Sequence, residues 1–294
     1  MRKKLTYFIQ SFIIVLSSAF IISVSSCGSD DIVNITPTPE PVDTSSFEYP
    51  FTTGSYWNYT KSLYAENIRP DSIRYLFNSY PLTGTGYSEI LYDTNIAIGG
   101  TVRVVYDRLI QGYDTSASRF YYTNSPNSLV CYGYRGGSTP SMPYIRNQAI
   151  KFATGERIFN SLRELSNFVV YGYDFASLGD TFIQESPVTV VLKYPIVKGT
   201  EWIFKDFGLS TLKKKYNSWE NYHLDTATIA CIKTQRINSI NSDYVLYDYY
   251  SKFGQMKKEY QFRNTQVKNQ FGITIGYVDY RELYLVTSFN IASQ

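Results

Sequence analysis

The chain has 294 residues, with 28 Lys and Arg against 25 Asp and Glu. Three of those basic residues, Arg2, Lys3 and Lys4, lie at the extreme N-terminus, so residues 27–294 hold 25 of each sign and are formally neutral. Nucleic-acid binding needs a concentrated basic face, so this neutral composition argues against a nucleic-acid partner. The one basic run, Lys213–Lys215, is interpreted as a solvated face.

The N-terminus has the organisation of a secretory signal. A basic start is followed by an apolar stretch from Leu5 to Val24 and by two small residues, Ser25 and Ser26, before Cys27. This order predicts a signal peptide over residues 1–26. Val24-Ser25-Ser26-Cys27 resembles a bacterial lipobox, which implies acylation of Cys27. The alternative is an uncleaved anchor, because about 18 apolar residues can span a bilayer.

Residues 27–46 read as a tether. They are rich in Pro, Thr, Ser and Asp and show no apolar periodicity, which predicts an extended, poorly ordered segment. Asp30 and Asp31 resemble the sorting context of Bacteroidota lipoproteins. We therefore expect a protein of the cell envelope, lipid-anchored to the outer membrane on its periplasmic or outer side.

Residues 47–294 predict an all-β body. Runs rich in β-branched and aromatic residues recur along it, and turn-type residues separate them, as at Thr83–Gly86 and Ser125–Asn127. Alternating apolar and polar positions favour antiparallel strands buried on one side. We expect an antiparallel sandwich or a curved half-barrel, with possible similar halves at 47–186 and 187–294.

Two segments show helical spacing. Over residues 155–168, Ile158, Leu162 and Leu165 fall on one helical face. Over residues 211–223, Leu212, Tyr216 and Trp219 share that spacing, although a strand edge would also fit. One or two short helices are therefore expected.

A phrase is repeated 145 residues apart. YPFTTGSYWNY begins at Tyr49 and YPIVKGTEWIF begins at Tyr194. A proline fixes an extended approach, a glycine supplies a turn with positive φ, and a tryptophan opens a strand. We interpret it as a folding device with buried indoles, although exposed indoles would form a ligand platform. Its six residues are Pro50, Gly54, Trp57, Pro195, Gly199 and Trp202.

The repeated phrase also carries a family resemblance. A Pro-x-x-x-Gly-x-x-Trp phrase after a lipoprotein tether, repeated midway, resembles uncharacterised Bacteroidota-type lipoproteins. The glycine within YDYYSKFGQMKKEY (247–260) and the lysine-bearing strand after it fit the same group, which more often has Leu-Val at positions 255 and 256. The resemblance implies envelope localisation and a β-rich fold, and it implies no catalytic residue.

Cys131 and Cys231 remain after Cys27 and lie in strand-like runs. In an oxidising compartment they could form a disulfide, or they could be buried free thiols.

Catalytic signals are few. His223 is the one histidine, so metal sites with two histidines are excluded, and its polar turn favours a surface position. No nucleophile, phosphate-loop or calcium-loop motif is present, and no cofactor or metal is predicted. A glycosidase-like hydrolase would need two carboxylates close in space. The candidates for such a pair are Asp174, Asp180, Asp248 and Glu259.

Tyrosine is abundant, with 29 copies. Tyr244, Tyr247, Tyr249 and Tyr250 occupy both faces of one predicted strand, and an uncovered face of tyrosines would suit a glycan or a protein partner. The alternative is that tyrosine merely suits half-exposed strands. The sequence favours a membrane-tethered, non-catalytic binding or structural module; the alternatives are an acid hydrolase and a lipid carrier with a curved sheet.

Overall fold

The computed structural model describes residues 47–98, 100–111, 114–137, 150–154, 157–171, 181–206, 211–238 and 242–293. The predicted signal peptide, the tether and Cys27 lie outside these ranges. No helix within them is both long and apolar enough to cross a membrane.

Strands dominate the described residues. The fourteen strands there are β1 (Tyr56–Arg69), β2 (Leu82–Ile96), β3 (Gly100–Gln111), β4 (Asp114–Ser125), β5 (Ser128–Gly137), β6 (Ile150–Thr154), β7 (Arg157–Phe159), β8 (Phe182–Lys193), β9 (Glu201–Asp206), β10 (Thr211–Leu224), β11 (Ala227–Asn238), β12 (Tyr244–Ser251), β13 (Gly254–Asn269) and β14 (Thr274–Asn290). A 3₁₀ helix covers Asp71–Phe77, and α1 covers Leu162–Tyr171.

All of these strands belong to one antiparallel sheet. Its order is β8-β5-β4-β3-β2-β1-β14-β13-β12-β11-β10-β9, with β6 beside β13 and β7 beside β6. The sheet curves into a nearly closed half-barrel. The expected all-β class, with a curved antiparallel sheet and few helices, is confirmed.

The sheet consists of two runs of strands that meet at its centre. The first run consists of β1–β5 and β8, and the second consists of β9–β14. The two runs meet where β1 pairs with β14. The chain passes from the first run to the second between Lys193 and Glu201. The boundary expected after residue 186 therefore falls inside β8.

Side chains connect the two edge strands across a seam. The Trp202 indole on β9 donates to the Val190 carbonyl on β8 at 2.8 Å. The Tyr216 hydroxyl on β10 donates to the Lys193 carbonyl at 2.8 Å and accepts from the Lys193 amide at 2.9 Å. These bonds satisfy backbone groups that an edge strand would otherwise leave unpaired.

The two copies of the repeated phrase form matching turns at their glycines. Gly54 and Gly199 have φ of +88° and +90°. Each donates its amide to the neighbouring strand at 2.8 Å, to Ile90 and to Tyr216 respectively. The next residue closes the same four-residue turn in both, since the Ser55 amide donates to the Thr52 carbonyl and the Thr200 amide donates to the Val197 carbonyl.

Both tryptophans of the phrase are buried, Trp57 at 1% exposure and Trp202 at 8%. Each indole N–H donates to a distant carbonyl, that of Phe253 for Trp57 and that of Val190 for Trp202. Buried, hydrogen-bonded indoles are what a folding device requires, and they leave no exposed ring for a ligand platform.

The predicted helices are corrected in two places. The first begins at Leu162 rather than near residue 155, because Arg157–Phe159 pair with β6 as β7. The second does not form, since residues 211–223 lie in β10. There Leu212 and Tyr216 are buried with the period of two that a strand requires, and pairing with β9 and β11 overrides the helical spacing.

Thr83–Gly86 is not a turn but part of β2. The glycines serve close packing instead. A Cβ on Gly84 would lie 2.4 Å from the Ile110 carbonyl oxygen, and one on Gly86 would lie 3.3 Å from Tyr59. The Ser125–Asn127 turn is present between β4 and β5.

Candidate ligand-binding site

A cavity of about 100 Å³ lies between the two runs of strands. The wall from β3, β4, β5 and β8 is largely apolar, and its apolar members are Val105, Phe120, Tyr122, Leu129, Cys131 and Val191. The wall from β9–β13 carries all four of the lining cations, Lys205, Lys214, Arg236 and Lys258. The two lining carboxylates, Asp107 and Glu185, belong to the first wall.

Strand register brings the charged residues together. Lys214 lies opposite Arg236, Thr234 lies opposite Asp248, and Asp248 lies opposite Lys258. Residues directly opposite in an antiparallel pair share a face, so all five project from the same side of the sheet. That side is the concave one, because Lys214, Arg236 and Lys258 all line the cavity.

Asp248 is the centre of this group and is fully buried. It accepts from Arg236 Nε at 2.7 Å and Nη2 at 3.1 Å, from the Tyr260 hydroxyl at 2.8 Å and from Gln255 Nε2 at 3.0 Å. Burial alone would raise the pKa of Asp248, but the charges of Arg236 and Lys214 outweigh it and hold the pKa well below its usual range. Asp248 is therefore ionised and multiply hydrogen-bonded.

Lys214 is equally buried, but its positive charge is less fully balanced by a counter-ion. Its Nζ lies 3.4 Å from Asp248 and donates to the Val191 carbonyl at 3.2 Å and to the Tyr250 hydroxyl at 3.3 Å. Burial lowers the pKa of Lys214 to about 7, against the attraction of Asp248 and with the help of repulsion from Arg236. Because Arg236 already neutralises Asp248, the Lys214 ammonium has only a shared counter-ion.

The remaining polar groups of the cavity differ in character. Lys205 Nζ lies 2.6 Å from Glu185 across the seam, and Asp107 accepts from the Ser88 hydroxyl at 2.6 Å. Burial lowers the pKa of Lys205, although Glu185 opposes that shift. Burial raises the pKa of the Cys131 thiol to about 12, so this cysteine stays a thiol and is a poor nucleophile.

Two threonine hydroxyls in this region stand out. Thr189 lines the cavity at 3% exposure and Thr234 is fully buried. Among the described residues, neither Oγ1 has a hydrogen-bond partner. Buried hydroxyls are normally bonded, so an unpaired one facing a cavity points to a group that binds there.

The four tyrosines of β12 are placed differently from the expected stacking face. Tyr244, Tyr249 and Tyr250 are buried, and Tyr247 is half-buried. On the convex side, lysine side chains lie over the rings, with Lys257 at 4.7 Å from the Tyr249 centroid and Lys233 at 4.3 Å from that of Tyr247. Of the four, Tyr250 lines the cavity.

The other predicted residues are dispersed. Cys131 and Cys231 are buried free thiols in separate hydrophobic clusters. The structure therefore has no disulfide between them. His223 is exposed and lies 3.2 Å from the Thr228 hydroxyl.

Of the four predicted acidic candidates, the two within the described residues, Asp248 and Glu259, do not form a pair. Asp174 and Asp180 lie outside the described residues. Asp248 projects to the concave side, as does Lys258, which lies opposite it on β13. Glu259 follows Lys258 directly and therefore projects to the other face of the sheet. Glu259 there pairs with Lys257 at 2.8 Å.

Sequence reasoning missed Lys214 and Arg236 as inward-facing charges. The run Lys213–Lys215 is predicted to be a solvated face, yet Lys214 is fully buried and its two neighbours are half-buried. The signal was present, because Lys214 lies two residues from both Leu212 and Tyr216 and therefore shares their face. A helix predicted over the same segment instead places Lys214 on the face opposite Leu212 and Tyr216.

Known proteins give little to compare. The chain matches no protein-family model and no curated protein. Two similar solved structures are a candidate lipoprotein from Parabacteroides distasonis and a candidate exported protein with a YmcC-like fold from Bacteroides fragilis. Each is 8% identical with a TM-score of 0.33, over 83% of this chain and 98% or 99% of theirs. That score is too low to transfer a function. No cluster of three or more metal-ligating side chains occurs among the described residues.

Proposed function

We propose that this protein is a membrane-tethered module of the bacterial envelope that binds a small ligand inside its half-barrel without turning it over. The observation that carries the binding role is the cavity itself, with buried cations on one wall and the unpaired Thr189 hydroxyl on the other. The tether rests on the N-terminal sequence, in which a basic start, an apolar run and small residues precede Cys27.

A lipid carrier is less well supported by this geometry. An acyl chain needs a predominantly apolar cavity, because buried charges are costly beside hydrocarbon. Six charged side chains line this one, and its volume is small.

An acid hydrolase is the second candidate, favoured by one observation. Asp107 and Glu185 line the same cavity, as a pair of catalytic carboxylates would. Against it, Glu185 is engaged by Lys205 at 2.6 Å, whereas a general acid works best when burial without a counter-ion keeps it protonated.

The tether is tested by replacing Cys27 with Ser in the full-length chain and fractionating cells. We expect the wild type in the membrane fraction with acyl chains on Cys27, and the variant released into the soluble envelope fraction. An unacylated wild type, or equal membrane retention of both, would remove the lipid anchor from the proposal. A Cys131→Ser variant is the matched control and should fractionate like the wild type.

Binding without turnover is tested with the detergent-solubilised full-length protein. The protein is incubated with the small-molecule fraction of an envelope extract, washed and denatured, and the released compounds are identified by mass spectrometry. We expect one compound retained unchanged at a stoichiometric level. Release of a cleaved product would support the hydrolase instead.

A further inference from the structure

We propose that the cavity binds a short-chain monocarboxylate, with its carboxylate between Lys214 and Thr189 and its hydrocarbon part against the aromatic wall. This inference rests on the proposed function, since it names the class of ligand that the binding module takes.

The charge of the site favours one negative charge on the ligand. Among the described residues, four cations line the cavity, and three carboxylates face them when Asp248, behind the lining, is counted with Asp107 and Glu185. These described groups therefore carry one excess positive charge when Lys214 is protonated. A monoanion would balance it, whereas a dianion would leave an excess negative charge in a buried site.

The two walls suit the two ends of such a ligand. All of the lining cations come from β9–β13, whereas Phe120, Tyr122 and Leu129 lie on the opposite wall. A ligand with a carboxylate at one end and a few methylene groups at the other matches this division. Fixed polar groups would then orient the ligand, while the apolar wall would contribute buried area.

Donors for the carboxylate lie close together on the seam side. Lys214 Nζ hydrogen-bonds to the carbonyl of Val191, which is two residues from Thr189 on the same strand. Residues two apart in a strand share a face, so Thr189 and the Lys214 ammonium approach the cavity from the same region. A carboxylate there would accept a hydrogen bond from the Thr189 hydroxyl, which has no partner among the described residues.

The volume limits the ligand to a few non-hydrogen atoms. The cavity measures about 100 Å³ on a scale where one water needs roughly 10–15 Å³. A chain of two to five carbons fits within this volume, whereas a sugar or a fatty acid would extend beyond it.

Binding should be linked to a proton on Lys214. The charged and titratable groups that contact Lys214 or line the cavity with it include Asp248 and Tyr250 from β12, Arg236 from β11, Lys258 from β13, Lys205 from β9, Glu185 from β8 and Asp107 from β3. Burial lowers the pKa of Lys214 to about 7. A bound carboxylate would raise this pKa, so the protein takes up a proton on binding above pH 7, and the affinity falls by about tenfold per pH unit there.

The test is calorimetric titration of the detergent-solubilised full-length protein with butyrate, at pH 6 and pH 8 and in two buffers of different ionisation enthalpy. We expect saturable binding that is weaker at pH 8, with proton uptake at pH 8. Succinate and inorganic phosphate serve as dianionic probes and should bind less tightly than butyrate.

Three variants localise the site. Lys214→Met should weaken butyrate binding by about tenfold or more, since it removes a charged hydrogen-bond donor. Thr189→Val should weaken it by roughly three- to tenfold while leaving the melting temperature equal or higher, because the hydroxyl it removes is unpaired within the described protein. Lys213→Met, on the outward neighbour of Lys214, is the control and should bind as the wild type does.

The outcomes separate the inference from the proposed function. The carboxylate site would be overturned if butyrate binding did not saturate. It would also be overturned if Thr189→Val and Lys214→Met both bound butyrate as tightly as the wild type does. Tighter binding of phosphate with the same dependence on these two residues would overturn the carboxylate class and leave the binding module standing. Chemical conversion of butyrate or succinate would overturn both.

Discussion

At the residue scale, the unusual feature is a set of full charges inside a β-sheet protein. Buried ion pairs often contribute little net stability, because desolvation offsets their attraction. Removing one partner is different, since the other charge then stays buried and uncompensated. Asp248, which pairs with both Arg236 and Lys214, is the residue on which the others depend.

Replacing Asp248 with Asn should therefore cost about 3–5 kcal/mol of unfolding free energy at pH 7, because Arg236 and Lys214 would remain buried without a counter-ion. The measurement is urea denaturation. Glu259→Gln is the control, because Glu259 forms a half-exposed pair with Lys257, and it should change stability by at most about 1 kcal/mol.

The same comparison has a predictable pH dependence. The pKa of Asp248 is lowered in the folded protein, so its contribution is complete above the unfolded value of about 3.9 and is lost as the pH falls through the folded value. The difference between the wild type and Asp248→Asn should thus be large at pH 5 and shrink as the pH falls below 4. A difference that stays the same down to pH 2.5 would mean that folding does not lower the pKa of Asp248.

At the element scale, the repeated phrase begins a strand in each half of the sheet. Trp57 belongs to β1 and Trp202 to β9, and both are buried with their N–H groups paired. The two indoles fill different clusters, so their contributions should be independent.

Trp57→Ala and Trp202→Ala should each cost roughly 3–5 kcal/mol, since each opens a large cavity and orphans a carbonyl. Trp219→Ala is the internal comparison, because Trp219 is only partly buried, and it should cost less than either. Thermal melting of the three variants measures this order. Unchanged melting of both motif variants would contradict the folding role.

Much of this architecture could be predicted from the sequence, and particular residues show where prediction failed. The alternation of apolar residues gave the strands, and the spacing of Pro, Gly and Trp located two strand starts. Leu212 and Tyr216 satisfy helical and strand periods equally well, so only pairing with β9 and β11 decides between them. The register that brings Lys214, Arg236 and Asp248 together depends on contacts between separate strands, which no local pattern encodes.

At the scale of the whole molecule, the two runs of strands join through backbone pairing at β1–β14 and through side chains at the seam between β8 and β9–β10. The cavity lies beside that seam, where Lys214 and Lys205 both reach residues of β8. Closure by side chains thus brings the cationic wall of one half against the apolar wall of the other. The proposed function depends on this arrangement.

The pKa of Lys214 is the most direct measure of this charged cavity. It can be followed by NMR in the full-length protein with labelled lysine side chains, with Lys214→Met used to assign the signal. We predict a midpoint near pH 7, well below the ordinary lysine value of about 10.4, and a rise when butyrate is added. A midpoint near the ordinary value, unchanged by butyrate, would contradict the buried site.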